Sequence, residues 1–320
     1  LSPAAEAFVP LSDAALRAVS GPHSRHAALI EDAFHVHVET PGGGVRLKGD
    51  AKGREHARKA VDLIARRIET GAGVDESDVR AAITAARSGE AAAAGPALPL
   101  GRRGVIAAKT PAQARYLEAL AQHELVFGVG PAGTGKTFLA VAYGASLLMR
   151  GEVDRLVVTR PAVEAGERLG FLPGDLNEKV DPYLAPIWEA LGDIMGGEAL
   201  KRRRERGEIE VAPIAFMRGR TLAHAFIVVD EAQNTSRMQM KMVLTRIGEG
   251  ARMAVTGDPS QIDLPNPSDS GLSHAIAILE GVKGVSVSRF EASDVVRHPM
   301  VERIVKAYDA DAAKRAQNRT

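Results

Sequence analysis

Gly130-Pro131-Ala132-Gly133-Thr134-Gly135-Lys136-Thr137 places three glycines, a lysine and a threonine at the spacing G-x-x-x-x-G-K-[ST]. These residue types suit one task, the gripping of a polyphosphate. Glycines at 130, 133 and 135 let the backbone turn tightly and aim N–H groups at an anion. A helix opening near Lys136, with Phe138 in its first turn, adds the positive end of its dipole. Lys136 is expected to reach the β- and γ-phosphates and Thr137 to place its hydroxyl on Mg2+. A glycine-rich turn matching by accident is the bland alternative. It is disfavoured because an apolar run, "LVFGVG", precedes the motif and a helical pattern follows it.

A second element supplies acids. In "AFIVVDEAQN" an apolar run ends in Asp230 and Glu231. Ligands of open parallel sheets gather at the carboxyl ends of strands. Asp230 there can enter a Mg2+ shell, and Glu231 can orient or activate a water. A pair of acids ending a strand is otherwise a solvated turn. "MAVTGDPSQID" sets Gln261 beyond another strand, where an amide can sense a γ-phosphate; a plain loop is the competing reading. "RFEASDVVRHP" offers Arg297 to neutralise a transferring phosphoryl group, from its own subunit or a neighbour's, against a surface arginine paired with Asp294. In "KTPAQARYLEAL" Gln113 can bond a base edge and Tyr116 can stack or pack nearby, while Thr110 and Pro111 also read as a helix cap and first turn. His35 and His37 read as one face of a strand rather than as metal ligands.

Bulk properties set limits on these readings. The chain has 320 residues, enough for about two domains. Its formal net charge is +1, so any basic surface is local. It has no cysteine, which excludes disulfides, thiolate metal sites and cysteine nucleophiles. No apolar run approaches the ~18 residues of a membrane span. The first residue is Leu1 rather than methionine, so an earlier targeting segment stays open, though nothing in the sequence reads as one.

The elements that must position these residues fall into two units. Residues 1–87 show two helical stretches, a strand "FHVHVET", a turn, a strand "VRLKG" and a long amphipathic helix with Ala57, Ala60, Val61, Ile64 and Ile68 on one face. Residues 88–104, rich in Ala, Gly and Pro, read as a linker. Residues 105–320 alternate short apolar strands with helices, the pattern of a parallel sheet covered on both faces.

The order of motifs (a glutamine element, GPAGTGKT, "VVTRPAVEAGERLGFLPGDLNEKVDPYLAPIW", VVDEAQN, "TGDPSQID", "SDVVRHP") resembles the PhoH-like ATPase family in its form with an N-terminal KH-like domain. The resemblance implies an α/β fold: a RecA-like P-loop NTPase core plus a small α+β KH-like domain. It further implies ATP and Mg2+ as ligands, a cytoplasmic ATPase linked to RNA metabolism, assembly into a homo-oligomeric ring, and a small metal-dependent endoribonuclease partner in ribosomal RNA maturation. By that similarity Gln113 faces adenine, Gly130 to Thr137 form the phosphate loop, Asp230 and Glu231 are the acidic pair, Gln261 is the γ-phosphate sensor and Arg297 is the late arginine. The segment from Arg160 to Trp188 then holds the place where helicases contact a nucleic-acid strand. One departure stands out. A KH fold grips nucleotides with a GXXG loop, and the corresponding residues here are Gly21-Pro22-His23-Ser24. Against that loss, residues 46–67 carry eight Lys/Arg to three Asp/Glu.

Other functions remain in competition at this level. A GTP switch would need a guanine-reading N-K-x-D, and "NEKVD" misses it by one residue. A small-molecule kinase leaves the glutamate after Asp230 unexplained. A nucleotide-dependent RNA-binding adaptor or switch without motor activity would have no use for Lys136 and Glu231 together. About 200 residues supply one RecA-like domain, whereas a helicase motor needs two, so a motor reading requires a neighbouring subunit.

Overall fold

The computed structural model describes residues 6–88, 97–100, 104–161, 176–295, 300 and 304. The N-terminal unit runs β1 (Glu6–Pro10), α1 (Asp13–Ser20), α2 (Arg25–Phe34), β2 (His37–Glu39), β3 (Gly44–Lys48), α3 (Ala51–Glu69) and α4 (Glu76–Ser88). Its antiparallel sheet has the order β1-β3-β2. Local chemistry starts the helices. Ser12 caps α1 by accepting from the Ala15 N–H at 3.3 Å, and Asp50 caps α3 by accepting from the Gly53 N–H at 2.8 Å. The long helix buries Ala57, Ala60, Val61 and Ile64 as its pattern requires, against Val19, Ile30, Val45 and Leu47.

The structure adds α4, a helix the sequence reading did not contain, and two further features differ from that reading. A strand, β1, precedes α1; among its five residues only Val9 is buried, too little alternation to register as a pattern. The second strand begins at His37, because Phe34 is drawn into the core as the last residue of α2 and His35 caps that helix at φ 54°. His35 and His37 therefore share no strand face, and His37 Nδ1 instead lies 2.8 Å from a Glu31 carboxylate oxygen.

The larger unit continues with β4 (Leu98–Pro99), β5 (Val105–Ile106), α5 (Pro111–Gln122), β6 (Leu125–Val129), α6 (Lys136–Arg150), β7 (Arg155–Arg160), α7 (Leu176–Met195), α8 (Gly197–Glu205), β8 (Ile209–Pro213), β9 (Ala225–Val229), α9 (Arg237–Leu244), β10 (Arg252–Gly257), α10 (Gly271–Leu279) and β11 (Val285–Arg289). Six strands form one sheet, ordered β11-β6-β10-β9-β7-β8, with every neighbouring pair parallel. The period of two in a strand explains why the inner strands β6 and β9 are apolar throughout. Val126 and Val228 join the core under α5, α6 and α7, while Phe127, Ile227 and Val229 join the core under α9 and α10. β6 and β9 thus each feed two cores, whereas the edge strand β11 alternates and packs Val285 and Val287 against the second alone. Leu98 and Leu100, within the 88–104 stretch, are buried against the first of them.

This is an α/β core built on a six-stranded parallel sheet, beside a small α+β unit. Among the described residues no helix is long and apolar enough to cross a membrane. Because all six strands are parallel, the residues after β6, β7, β9 and β10 emerge along one edge of the sheet. The placement of β10 between β6 and β9 decides which of those residues can meet.

Candidate functional site

The glycine-rich loop leaves β6 at a point pinned on both sides. The Phe290 N–H donates to the Val129 carbonyl at 2.8 Å, and the Gly130 N–H donates to the Gly257 carbonyl at 3.2 Å. Gly130 has φ 141°, and a Cβ there would lie 2.2 Å from the Phe290 carbonyl oxygen. Backbone, not a movable side chain, forbids any larger residue. Gly130→Ala is therefore expected to cost about 1–3 kcal/mol in strain and to lower the thermal midpoint by several degrees; an unchanged Tm in a melting experiment would contradict this packing.

Lys136 opens α6 and is buried. Its Nζ donates to the carbonyls of Gly130 and Pro131, both at 2.7 Å, and lies 3.4 Å from Thr134 Oγ1. The ammonium is thus held in the bowl of the loop by the loop's own carbonyls. A phosphate entering the bowl would present stronger acceptors to the same donors.

Thr137, one residue on, turns toward β9. Its Oγ1 donates to Asp230 Oδ1 at 2.6 Å, and Thr256 Oγ1 donates to the same oxygen at 2.9 Å. Asp230 is buried, and its N–H donates to the Thr159 carbonyl at 2.8 Å. Two hydroxyls, from the start of α6 and the end of β10, therefore converge on one carboxylate oxygen. Thr256 was not singled out from sequence. It reaches Asp230 because β10 lies beside both β6 and β9, pairing Thr256 with Gly128 and Val255 with Val229.

Glu231 follows in the left-handed region at φ 49°. A non-glycine residue held there carries strain, and such strain gathers at functional sites. Its carboxylate accepts from Gln233 Nε2 at 2.6 Å and lies 3.5 Å from an Arg160 guanidinium nitrogen. Gln233 is almost fully buried, and its Oε1 accepts from the Asp258 N–H at 3.1 Å. It ties the acidic loop to the loop after β10. Neither Gln233 nor Arg160 was assigned this role from sequence; the signal available was Gln233's place two residues after Glu231.

The other sequence candidates have clear positions. Gln261 is exposed in the turn after β10, its N–H donating to the Asp258 carbonyl at 3.0 Å. Arg297 and His298 lie outside the described residues, as does 162–175 of the Arg160–Trp188 segment. Gln113, buried, braces the loop: Oε1 accepts from the Lys109 N–H at 2.7 Å and Nε2 donates to the Thr134 carbonyl at 2.9 Å. Thr110 caps α5 and Pro111 occupies its first turn, as read from sequence. Tyr116 packs beneath the loop, edge-on to Phe290 at 5.5 Å. Burial, with the Asp230 charge adding to it, pushes the Tyr116 hydroxyl well above the usual phenol range. Phe138 is 40% exposed on α6.

This donor set can be tested against the groups it would hold. Thr137 and Asp230 present hard oxygens side by side, the ligands Mg2+ prefers when phosphates complete its shell. Lys136 and the N-terminus of α6 supply the positive field for those phosphates. Glu231 stands next to them on a half-exposed loop, within reach of solvent.

In the N-terminal unit, the turn joining α1 to α2 keeps Gly21, His23 and Ser24 at φ 69°, 51° and 61°. Ser24 adopts the left-handed conformation that a glycine would take at no steric cost. The turn thus places a serine side chain on a backbone position that favours glycine. Pro22, His23 and Ser24 are all exposed.

Comparison with known proteins agrees with this layout. The family described as PhoH-like protein matches residues 105–309. A PhoH-like protein of Bacillus subtilis (strain 168) is 45% identical over 286 residues, 88% of this chain and 90% of that protein. That alignment is longer than the whole of 105–320 and so extends into the N-terminal unit. A PhoH-like protein of Synechocystis is 56% identical over 209 residues, 65% of this chain and 64% of that protein. Protein PhoH of Escherichia coli (strain K12) is 44% identical over 205 residues, 63% of this chain and 58% of that protein. Among solved structures, the Sulfolobus solfataricus SWI2/SNF2 ATPase core in complex with dsDNA aligns at 15% identity, covering 57% of this chain and 44% of that one, with a TM-score of 0.35. The family match spans the glycine-rich loop, the acidic strand end and the loops that join them, and the chain belongs to the PhoH-like protein family.

Proposed function

We propose that this protein binds and hydrolyses ATP with Mg2+ and couples that hydrolysis to work on RNA. The observation that carries the reading is the convergence of Thr137 and Thr256 on a single Asp230 oxygen, one residue along from Lys136 in the loop and one residue before a strained Glu231. A hydroxyl, a carboxylate, an ammonium and a second carboxylate at one sheet edge are what phosphoryl transfer to water requires.

In this mechanism Lys136 exchanges loop carbonyls for the β- and γ-phosphates. The hydroxyl of Thr137 and the carboxylate of Asp230 would hold Mg2+, which would supply positive charge against the phosphates. Thr256 fixes which Asp230 oxygen is free. Glu231 accepts the proton of the attacking water, its position set by Gln233 and Arg160. Gln261 completes the γ-phosphate side once its turn closes over the nucleotide, and Arg297 answers the developing charge in its own subunit or across to a neighbour.

RNA is assigned from the N-terminal unit and the family together. The unit runs βααββα before α4, with a left-handed turn between its first two helices, the place where a KH module clamps nucleotides. One RecA-like core lacks the second face that a motor closes on ATP, so the protein works as a homo-oligomeric ring. Remodelling or helicase activity in the cytoplasm, alongside a small metal-dependent endoribonuclease maturing ribosomal RNA, is the finer reading that the resemblance supports. The test is phosphate release with and without single-stranded RNA. Mg2+-dependent turnover, raised several-fold by RNA, is expected. ATP left intact under both conditions would overturn the enzymatic assignment, and turnover indifferent to RNA would overturn the coupling.

A further inference from the structure

Between the two units lies a cavity of about 570 Å3. From the larger unit it is lined by Ile106, Gln113, Phe138 and the loop glycines at 133 and 135; from the N-terminal unit, by Ser77 and Arg80 of α4. It lies beside the glycine-rich loop, whose Gly133 and Gly135 line it.

The two walls are held at a fixed spacing by a polar clamp. Asp78, with a side chain only 4% exposed, lies 3.1 Å from both Arg67 Nη2 and Lys109 Nζ. Arg67 also donates to the carbonyls of Ala107 at 3.3 Å and Ala108 at 3.0 Å, so its guanidinium is committed to the junction. Lys109 Nζ reaches Ser77 Oγ at 2.5 Å. The Lys109 N–H holds Gln113, which holds the Thr134 carbonyl. An unbroken chain of hydrogen bonds therefore runs from α4 to the phosphate loop.

Arg80 is not part of that clamp. Its side chain is 43% exposed, and its distance to the Glu76 carboxylate is a loose 4.0 Å. Glu76 is engaged more closely by Arg25, at 2.8 Å. The cavity thus offers an aromatic ring from Phe138, an aliphatic surface from Ile106 and a planar guanidinium from Arg80. A flat heterocycle carried at one end of an anionic chain fits that set: a ring and a guanidinium take its faces, while the loop takes the phosphates. Building on the nucleotide reading above, we propose that the N-terminal unit forms one wall of the nucleoside site, with Arg80 the side chain that contacts the base. Base recognition is then shared between the units. By linkage, a nucleotide that touches both units strengthens their docking as much as their docking strengthens its binding.

The test compares ATP with inorganic tripolyphosphate, which fills the loop but has no base, as Mg2+ complexes titrated against the full chain. Arg80→Ala is expected to weaken ATP binding about three- to tenfold, the range of a guanidinium–ring contact, and to leave tripolyphosphate unchanged. Arg80→Lys keeps the charge and loses the plane, and is expected to behave like Arg80→Ala. Equal ATP affinity in all three proteins would overturn the proposal while leaving the phosphate-loop reading intact. Parallel weakening of ATP and tripolyphosphate, restored by lysine, would assign Arg80 to the phosphates and overturn the base contact. Failure of the unaltered protein to bind ATP would sink the nucleotide reading and this proposal with it.

Discussion

Lys136→Ala is expected to lower ATP affinity by about a hundredfold or more while leaving the fold intact. Lys136 Nζ makes two short hydrogen bonds, to the Gly130 and Pro131 carbonyls. With ATP bound, those donors turn to phosphate oxygens, and charge-assisted hydrogen bonds contribute roughly 1.5–3 kcal/mol each. Two of them correspond to about two to four orders of magnitude in affinity. Alanine suits a helix start, and the loop keeps the Gly130–Gly257 and Gln113–Thr134 bonds that shape it. The loss should therefore show in nucleotide titration and hardly at all in the thermal midpoint. Wild-type affinity in this variant would mean that ATP binds elsewhere.

Glu231→Gln should separate binding from chemistry. The substitution is nearly isosteric, and the new amide oxygen can still accept from Gln233 Nε2. What disappears is the basic carboxylate and its 3.5 Å approach to Arg160. A positioned general base contributes typically about 10²- to 10⁴-fold to a rate. Phosphate release is expected to fall by that factor, with ATP affinity within about threefold of the parent. Because the side chain is 38% exposed, folding should be indifferent to the change. Hydrolysis at the parent rate would remove Glu231 from the reaction and leave the attacking water to another group.

Legibility in the sequence followed how local each feature is. The glycine-rich loop could be read because its shape depends on residue types within eight consecutive positions. The buried strands could be read because a strand covered on both faces is apolar at every position; β9, "AFIVV", is buried throughout. The cap of α5 could be read because Thr110 and Gln113 are three residues apart. By contrast β1 escaped notice: it is short, ends in proline and becomes a strand only by pairing with β3, which sets Val9 opposite Val45 far along the chain. The role of Gln233 depends on a bond to Asp258, 25 positions away.

What the chain encodes by itself is the inventory of the site: a phosphate loop, an acid pair ending a strand, and their order along an alternating α/β pattern. Only the tertiary structure decided that β10 lies between β6 and β9, bringing Thr256 onto Asp230, and that α4 closes a cavity against Phe138. Residue types act through near neighbours in the chain and so can be read from it. Strand order and the docking of two units arise from packing between residues far apart in sequence, where no local pattern records which surfaces will meet.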